Sequence, residues 1–157
     1  MSKEFCESTI RSDKRSATAK DRRDLALIAL DLLQRAADDA NAKIIHGDGP
    51  KWHQDKVTRL HLVYCQVDYD TMARTISKWR AMVQEYGDNR NDSLLSFYYF
   101  DVANRMKETS DDWLAVTSVE DNELQVVGKD VEEVSHRTTL ARAMVEQMLG
   151  EVDDDMD

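Results

Sequence analysis

Residues Thr18 to Ile45 read TAKDRRDLALIALDLLQRAADDANAKII. Leu25, Ile28, Leu32, Ala36 and Ala40 recur at steps of three and four, which stacks them on one face of a helix. Leu33 and Ala37 widen that stripe. Thr18 is the expected N-cap, with Asp21 three residues on in the place of a capping box. Gly47-Asp48-Gly49-Pro50 is the expected stop, because Gly supplies a left-handed cap and Pro cannot continue a helix. A long helix with a broad apolar face needs other elements to cover it, and the rest of the chain offers mostly more helix.

Trp52 to Tyr69 fits two patterns. Val57, Leu60, Tyr64 and Val67 share a helix face, while Leu60, Leu62, Tyr64 and Gln66 alternate as a strand would. We read a helix. Asp70 is the expected N-cap of a separate helix from Thr71 to Tyr86, with Met72, Ile76, Trp79 and Val83 inward and Gly87 as its cap. Another helix is expected from Ser93 to Lys107, capped by Asp92, with Leu95, Tyr98 or Tyr99, Val102 and Met106 in step. Residues 113–128, WLAVTSVEDNELQVVG, read as a small β-hairpin around Glu120-Asp121-Asn122. A last helix spans Val131 to Leu149, with Val134, Leu140 or Ala141, Met144 or Val145, and Met148 inward. The expected fold is mainly α. It is a single compact domain of about five helices over 18–150, with a flexible polar arm at 1–17 and an acidic disordered tail at 151–157.

Composition agrees. In 157 residues there are one Pro and five Gly, too few for the many turns of a sandwich or barrel. Apolar residues make up 41% and charged residues 33%, enough of the former to build a core. Two cysteines, Cys6 and Cys65, are not a disulfide framework and read as free thiols of a reducing compartment. No apolar run reaches the roughly 18 residues that span a bilayer, and the N-terminus has no apolar signal core. The expected location is the cytoplasm, with no membrane partner.

The formal charge of −10 is unevenly spread. Residues 108–157 carry 15 acids against three bases, whereas residues 1–107 carry 16 acids against 18 bases. Such asymmetry points to charged partners. The acids Glu151, Asp153, Asp154, Asp155 and Asp157 are candidates for engaging a protein with a basic surface.

Motifs for chemistry are sparse. GDGPK at 47–51 lacks the third glycine and the Lys-Ser/Thr of a phosphate loop. His61 and Cys65 stand at i and i+4 on a helix and could share one zinc ion, but His53 is two turns away and His46 and His136 are the only other histidines. Glu133 and His136 form one Glu-x-x-His pair where a di-iron bundle needs two. Asp38/Asp39, Asp111/Asp112 and Glu132/Glu133 are adjacent carboxylates of the sort that keep a surface soluble. No Gly-x-Ser-x-Gly elbow occurs. No catalytic residue, metal ligand or cofactor is assigned, and the chain is read as a non-enzyme.

The stretch DTMARTISKWRAMVQEYG at 70–87 places Arg74, Thr75, Ser77, Lys78 and Arg80 near the front of a helix. With its Thr-Ile-Ser-Lys-Trp string it resembles the second helix of helix-turn-helix modules. The resemblance covers about a ninth of the chain. It implies that Arg74, Lys78 and Arg80 contact DNA, after a turn at Val67-Asp68-Tyr69. The plainer reading is an amphipathic core helix with a solvated face. The expected function is a small acidic regulatory protein that works through protein–protein contacts, in a nucleic-acid-associated assembly or as a homo-oligomer. The alternatives are a helix-turn-helix DNA binder, an acidic inhibitor that imitates nucleic-acid charge and, last, a metal-dependent enzyme.

Overall fold

The computed structural model describes residues 3–46, 56–88, 94–118 and 123–155. In chain order the elements are α1 (Lys3–Arg11), a 3-10 turn (Lys14–Thr18), α2 (Arg22–Ile45), α3 (Lys56–Asp88), α4 (Leu94–Thr117), a second 3-10 turn (Glu123–Val127) and α5 (Gly128–Asp155). The structure is all-α, with five helices and no strand among the described residues.

Asp21, not Thr18, caps α2. Its carboxylate accepts the N–H of Asp24 at 2.9 Å, and the Asp24 carboxylate accepts the N–H of Lys20 at 2.9 Å, closing a capping box one residue outside the cap. Thr18 instead ends the preceding 3-10 turn and donates its hydroxyl to the Arg15 carbonyl at 3.2 Å. At its far end α2 stops at Ile45 with His46 as C-cap. The Gly-Pro stop expected at 47–50 lies outside the described residues.

Helix α2 packs against α3 and α5, and α4 packs against α3 and α5, so four helices close a ring around one core. Neighbours run antiparallel, as polar rungs between them show. Between α2 and α5, Arg22 donates to the Gln147 carbonyl (3.0 Å), Arg137 to the Leu32 carbonyl (2.8 Å), and Lys43 pairs with Asp130. Between α2 and α3, Arg23 donates to the Gln84 carbonyl (3.2 Å), Arg80 pairs with Asp31 (2.9 Å), and the Tyr69 hydroxyl donates to Asp38 (2.7 Å). Sequential helices adjacent and antiparallel make an up-and-down four-helix bundle. Its centre is filled by Trp79, Trp113, Leu30, Leu33, Met72, Met106 and Leu140. The buried hydroxyls of Thr109, Thr117 and Thr138 bond back to carbonyls of their own helices, so they add no unpaired donor to the interior.

Two expectations are corrected. The hairpin at 113–128 does not form: Trp113, Leu114 and Val116 belong to the last turns of α4, and residues 123–127 are a 3-10 turn. Trp113 and Thr117 fall on the face already occupied by Met106, Thr109 and Ser110, so continuing the helix buries them where a strand would not. Asp70 caps nothing, because α3 is unbroken for 33 residues; its carboxylate accepts Gln66 Nε2 at 3.0 Å instead. The N-terminal stretch forms α1 and the first 3-10 turn. It packs on α2, whose outer side chains Ile28 and Leu32 are buried, and the Phe5 ring stands edge-on to His136 of α5 at 5.4 Å. Helix α5 runs as far as Asp155.

Asp31 ties these layers together. It accepts Arg15 from the first 3-10 turn at 2.7 Å and Arg80 from α3 at 2.9 Å. Burial pushes its carboxyl up, but the guanidiniums of Arg80 and Arg15 outweigh that and hold it below the ordinary carboxylate range.

Trp79 is fully enclosed. Trp79→Ala should therefore cost about 3–5 kcal/mol of unfolding free energy, as large-to-small core changes do. Urea denaturation measures this, and an unchanged midpoint would place Trp79 outside the core.

Candidate interaction surface

Helix α3 is apolar on two faces along its first half. Thr58, Leu62, Cys65 and Tyr69 turn inward, in line with Met72, Ile76, Trp79, Val83 and Tyr86. The opposite face carries Val57, Leu60, Val63, Tyr64 and Val67, each more than half exposed. The helix face that these residues share is thus the outer one. Val63, Tyr64 and Val67 are exposed because they lie opposite the inward stripe, and at Val57 and Leu60 helix length adds to this: α3 has 33 residues, and its neighbours α2 and α4 have 24 each. At 1.5 Å per residue that is about 50 Å against about 36 Å. With Asp38 level with Tyr69 and Arg23 with Gln84, α2 ends near the level of Leu62, and the first turns of α3 run past it.

A second exposed patch lies at the other end of the α3–α4 pair. Tyr69 meets Trp113 at one end of that pair, with ring centroids 6.1 Å apart. At the other, Thr75, Lys78 and Met82 of α3 face Tyr98, Asp101 and Arg105 of α4 across a cleft of ≈ 320 Å³. Beside the cleft, Phe97 is 83% and Phe100 76% exposed, on the side of α4 opposite Leu95, Tyr99 and Met106. The same outward face continues through Asp101, Asn104, Glu108 and Asp111. Charge is segregated around the ring. Helix α3 carries five bases and four acids, whereas α5 carries three bases and eight acids.

The candidate DNA contacts do not converge. Arg74 and Lys78 are exposed on one face of α3, with Lys78 lining the cleft, whereas Arg80 turns to α2 and is bound to Asp31. Val67-Asp68-Tyr69 is the middle of a helix rather than a turn, so the two-helix geometry behind the helix-turn-helix resemblance is absent. Of the candidate partner-binding acids, Glu151, Asp153, Asp154 and Asp155 continue α5, and Asp157 lies outside the described residues.

His61 is half-buried and Cys65 almost wholly buried. Burial, with Asp68 nearby, pushes the Cys65 thiol up to about 12. Among the described residues no three His, Cys, Asp or Glu side chains gather as metal ligands would. His53 lies outside those residues. Glu133 bonds Arg137 at 2.8 Å, and His136 lies 3.9 Å from Glu132. The paired carboxylates also separate: Asp111 takes Lys107 at 2.8 Å, while the charge of Asp112 acts on Asp68. Burial, with Asp112 adding to it, raises the Asp68 carboxyl to about 6. Sequence reasoning missed the exposed aromatics of α4 and the outward orientation of the α3 stripe; only the run Phe97-Tyr98-Tyr99-Phe100 hinted at the first, since one helix face cannot bury four consecutive aromatics. Among the described residues no helix is long and apolar enough to cross a membrane.

Compared with known proteins, the chain matches no protein family and no curated protein.

Two measurements check this electrostatic picture. The folded state holds the Asp68 proton more tightly than the unfolded chain, where the value is 3.8, so its contribution is fully present below that value and is lost as pH rises toward about 6. Asp68→Asn should therefore stabilise the protein by about 1–2 kcal/mol at pH 7.5, after discounting for partial exposure, with the gain vanishing near pH 4. An equal effect at both pH values would contradict the assignment. Separately, a thiol reagent at pH 8 should modify half-buried Cys6 quickly and Cys65 only after denaturation; two equally fast thiols would show Cys65 to be accessible.

Proposed function

We propose that this protein is a non-enzymatic binding protein that works through protein–protein contacts, with the outward face of α4 as its recognition surface. One observation carries the reading. Phe97 and Phe100 are large aromatic side chains held out into solvent on the far side of a helix whose inner face is already satisfied. Surface patches of this kind mark interaction sites, and aromatic side chains supply most of the binding energy where they find a pocket. The face then runs into Asp101, Asn104, Glu108 and Asp111, so a fitting partner offers an apolar pocket with a basic rim. This retains the basic partner expected from the charge asymmetry but moves its point of contact from the C-terminal acids to α4. The cleft between Lys78 and Arg105 gives a partner side chain a place to enter beside the rings.

Affinity capture from the native host, followed by titration of the captured protein, tests this. Phe97→Ala with Phe100→Ala should weaken binding by at least about tenfold, the loss expected of aromatic anchors. Thermal stability should hold, because both rings are exposed. Added salt should slow association with the unaltered protein through screening of the acidic rim. Undiminished affinity in the double variant would remove α4 from the interface.

A further inference from the structure

We propose that the outer stripe of α3 pairs with the same stripe of a second copy, antiparallel about a two-fold axis. This surface lies at the opposite end of the α3–α4 pair from Phe97 and Phe100 and stands independently of the α4 reading. Val57, Leu60, Tyr64 and Val67 are spaced three, four and three apart, the a and d positions of a short coiled-coil seam. Val63 lies beside them, and all five side chains are exposed in the single chain.

The occupant follows from charge and symmetry. In an antiparallel pairing a layers meet d layers, so Val57 faces Val67 of the second copy and Leu60 faces Tyr64 of the second copy. Each contact then occurs twice, as an isologous interface requires. The flanking positions one residue before each a are Lys56, Val63 and Asp70. Antiparallel pairing brings Lys56 against Asp70 of the second copy at both ends, with the two Val63 side chains meeting at the centre. Opposite charges at such flanks set partner and orientation. A parallel pairing would put Lys56 against His61 and Val63 against Asp68 of the second copy, with no opposite-charge pair gained and an apolar side chain set on an acid. Lys56 is exposed and Asp70 half-exposed, so both are within reach of a second molecule. Polar residues bound the seam, with Lys56 before it and Thr71 and Arg74 after it. The seam of about 15 Å, from ten rises of 1.5 Å between Val57 and Val67, is short, so the dimer is weak and concentration-dependent.

Sedimentation of the full chain from about 5 to about 500 µM, a range that brackets weak association, reads the result. The mass should rise with concentration from the monomer's 18.1 kDa toward twice that. Leu60→Asp with Tyr64→Asp should hold the protein monomeric throughout. Lys56→Asp alone and Asp70→Lys alone should each raise the dissociation constant about tenfold, since each turns two attractions into two repulsions. Combining both swaps should restore it, which a merely structural role for either residue would not do. A monomer at every concentration overturns the proposal, as does a dimer that survives in the folded Leu60/Tyr64 variant. If that variant fails to fold, the charge swaps decide, and a double swap no better than the single ones overturns it. Loss of dimer with intact binding through α4, or the reverse, tells the two surfaces apart.

Discussion

The unbroken length of α3 is the constraint on which the rest of the structure depends. Thirty-three residues without a cap or turn make it longer than either neighbour by nine residues. Its second half has α2 on one flank and α4 on the other, and there one inward stripe from Met72 to Tyr86 suffices. Its first turns run beyond the end of α2, and among the described residues no helix covers the face opposite its inward stripe. An apolar stripe on that face stays exposed however well the core packs. Continuity also rules out a recognition helix set at an angle to a preceding one, since the residues that would turn are mid-helix.

Polar contacts around the core act as registration more than as a source of stability. Exposed ion pairs contribute about 0–1 kcal/mol each. Placed as rungs at both ends of the α2–α5 and α2–α3 pairs, they nonetheless disfavour a slip of one helix along another. Asp31 holds Arg15 and Arg80 at once. The charge of Asp112 works the other way, adding to the burial that raises the Asp68 carboxyl. If α3 pairs with its copy, the dimer presents two α4 faces to one target, and effective concentration then strengthens binding without any new contact.

Much of the fold was legible in the sequence. The inward Trp79, the apolar pattern of α5 and the core positions Leu33, Ala36, Ala37 and Ala40 of α2 follow from helical spacing, whereas Ile28 and Leu32 lie on the outer side of α2 and Ala26, Ala29 and Leu30 share the core face in their place. Two readings failed for identifiable reasons, and one was left open. Val57, Leu60, Tyr64 and Val67 share a helix face by spacing, but periodicity reveals a face and not its direction. Where a helix is apolar on two faces, only its neighbours decide. Residues 113–128 resemble a hairpin through their Val and Leu content, yet tertiary packing of Trp113 and Thr117 onto the Met106 face overrides local preference. Asp70 has the chemistry of an N-cap, but inside a helix the same carboxylate finds Gln66 one turn back. The α4 surface was the least legible, because it is defined by what the bundle leaves outside.

Backbone amide hydrogen exchange at Val67 to Thr71 tests the central claim most directly. A continuous α3 places these amides in an unbroken ladder of helical hydrogen bonds, packed against α2 and α4, so they should exchange as slowly as those of Ile76 to Val83. Fast exchange confined to Asp68, Tyr69 and Asp70 would reveal a turn. It would break α3 in two and contradict both the exposed stripe and the architecture built on it.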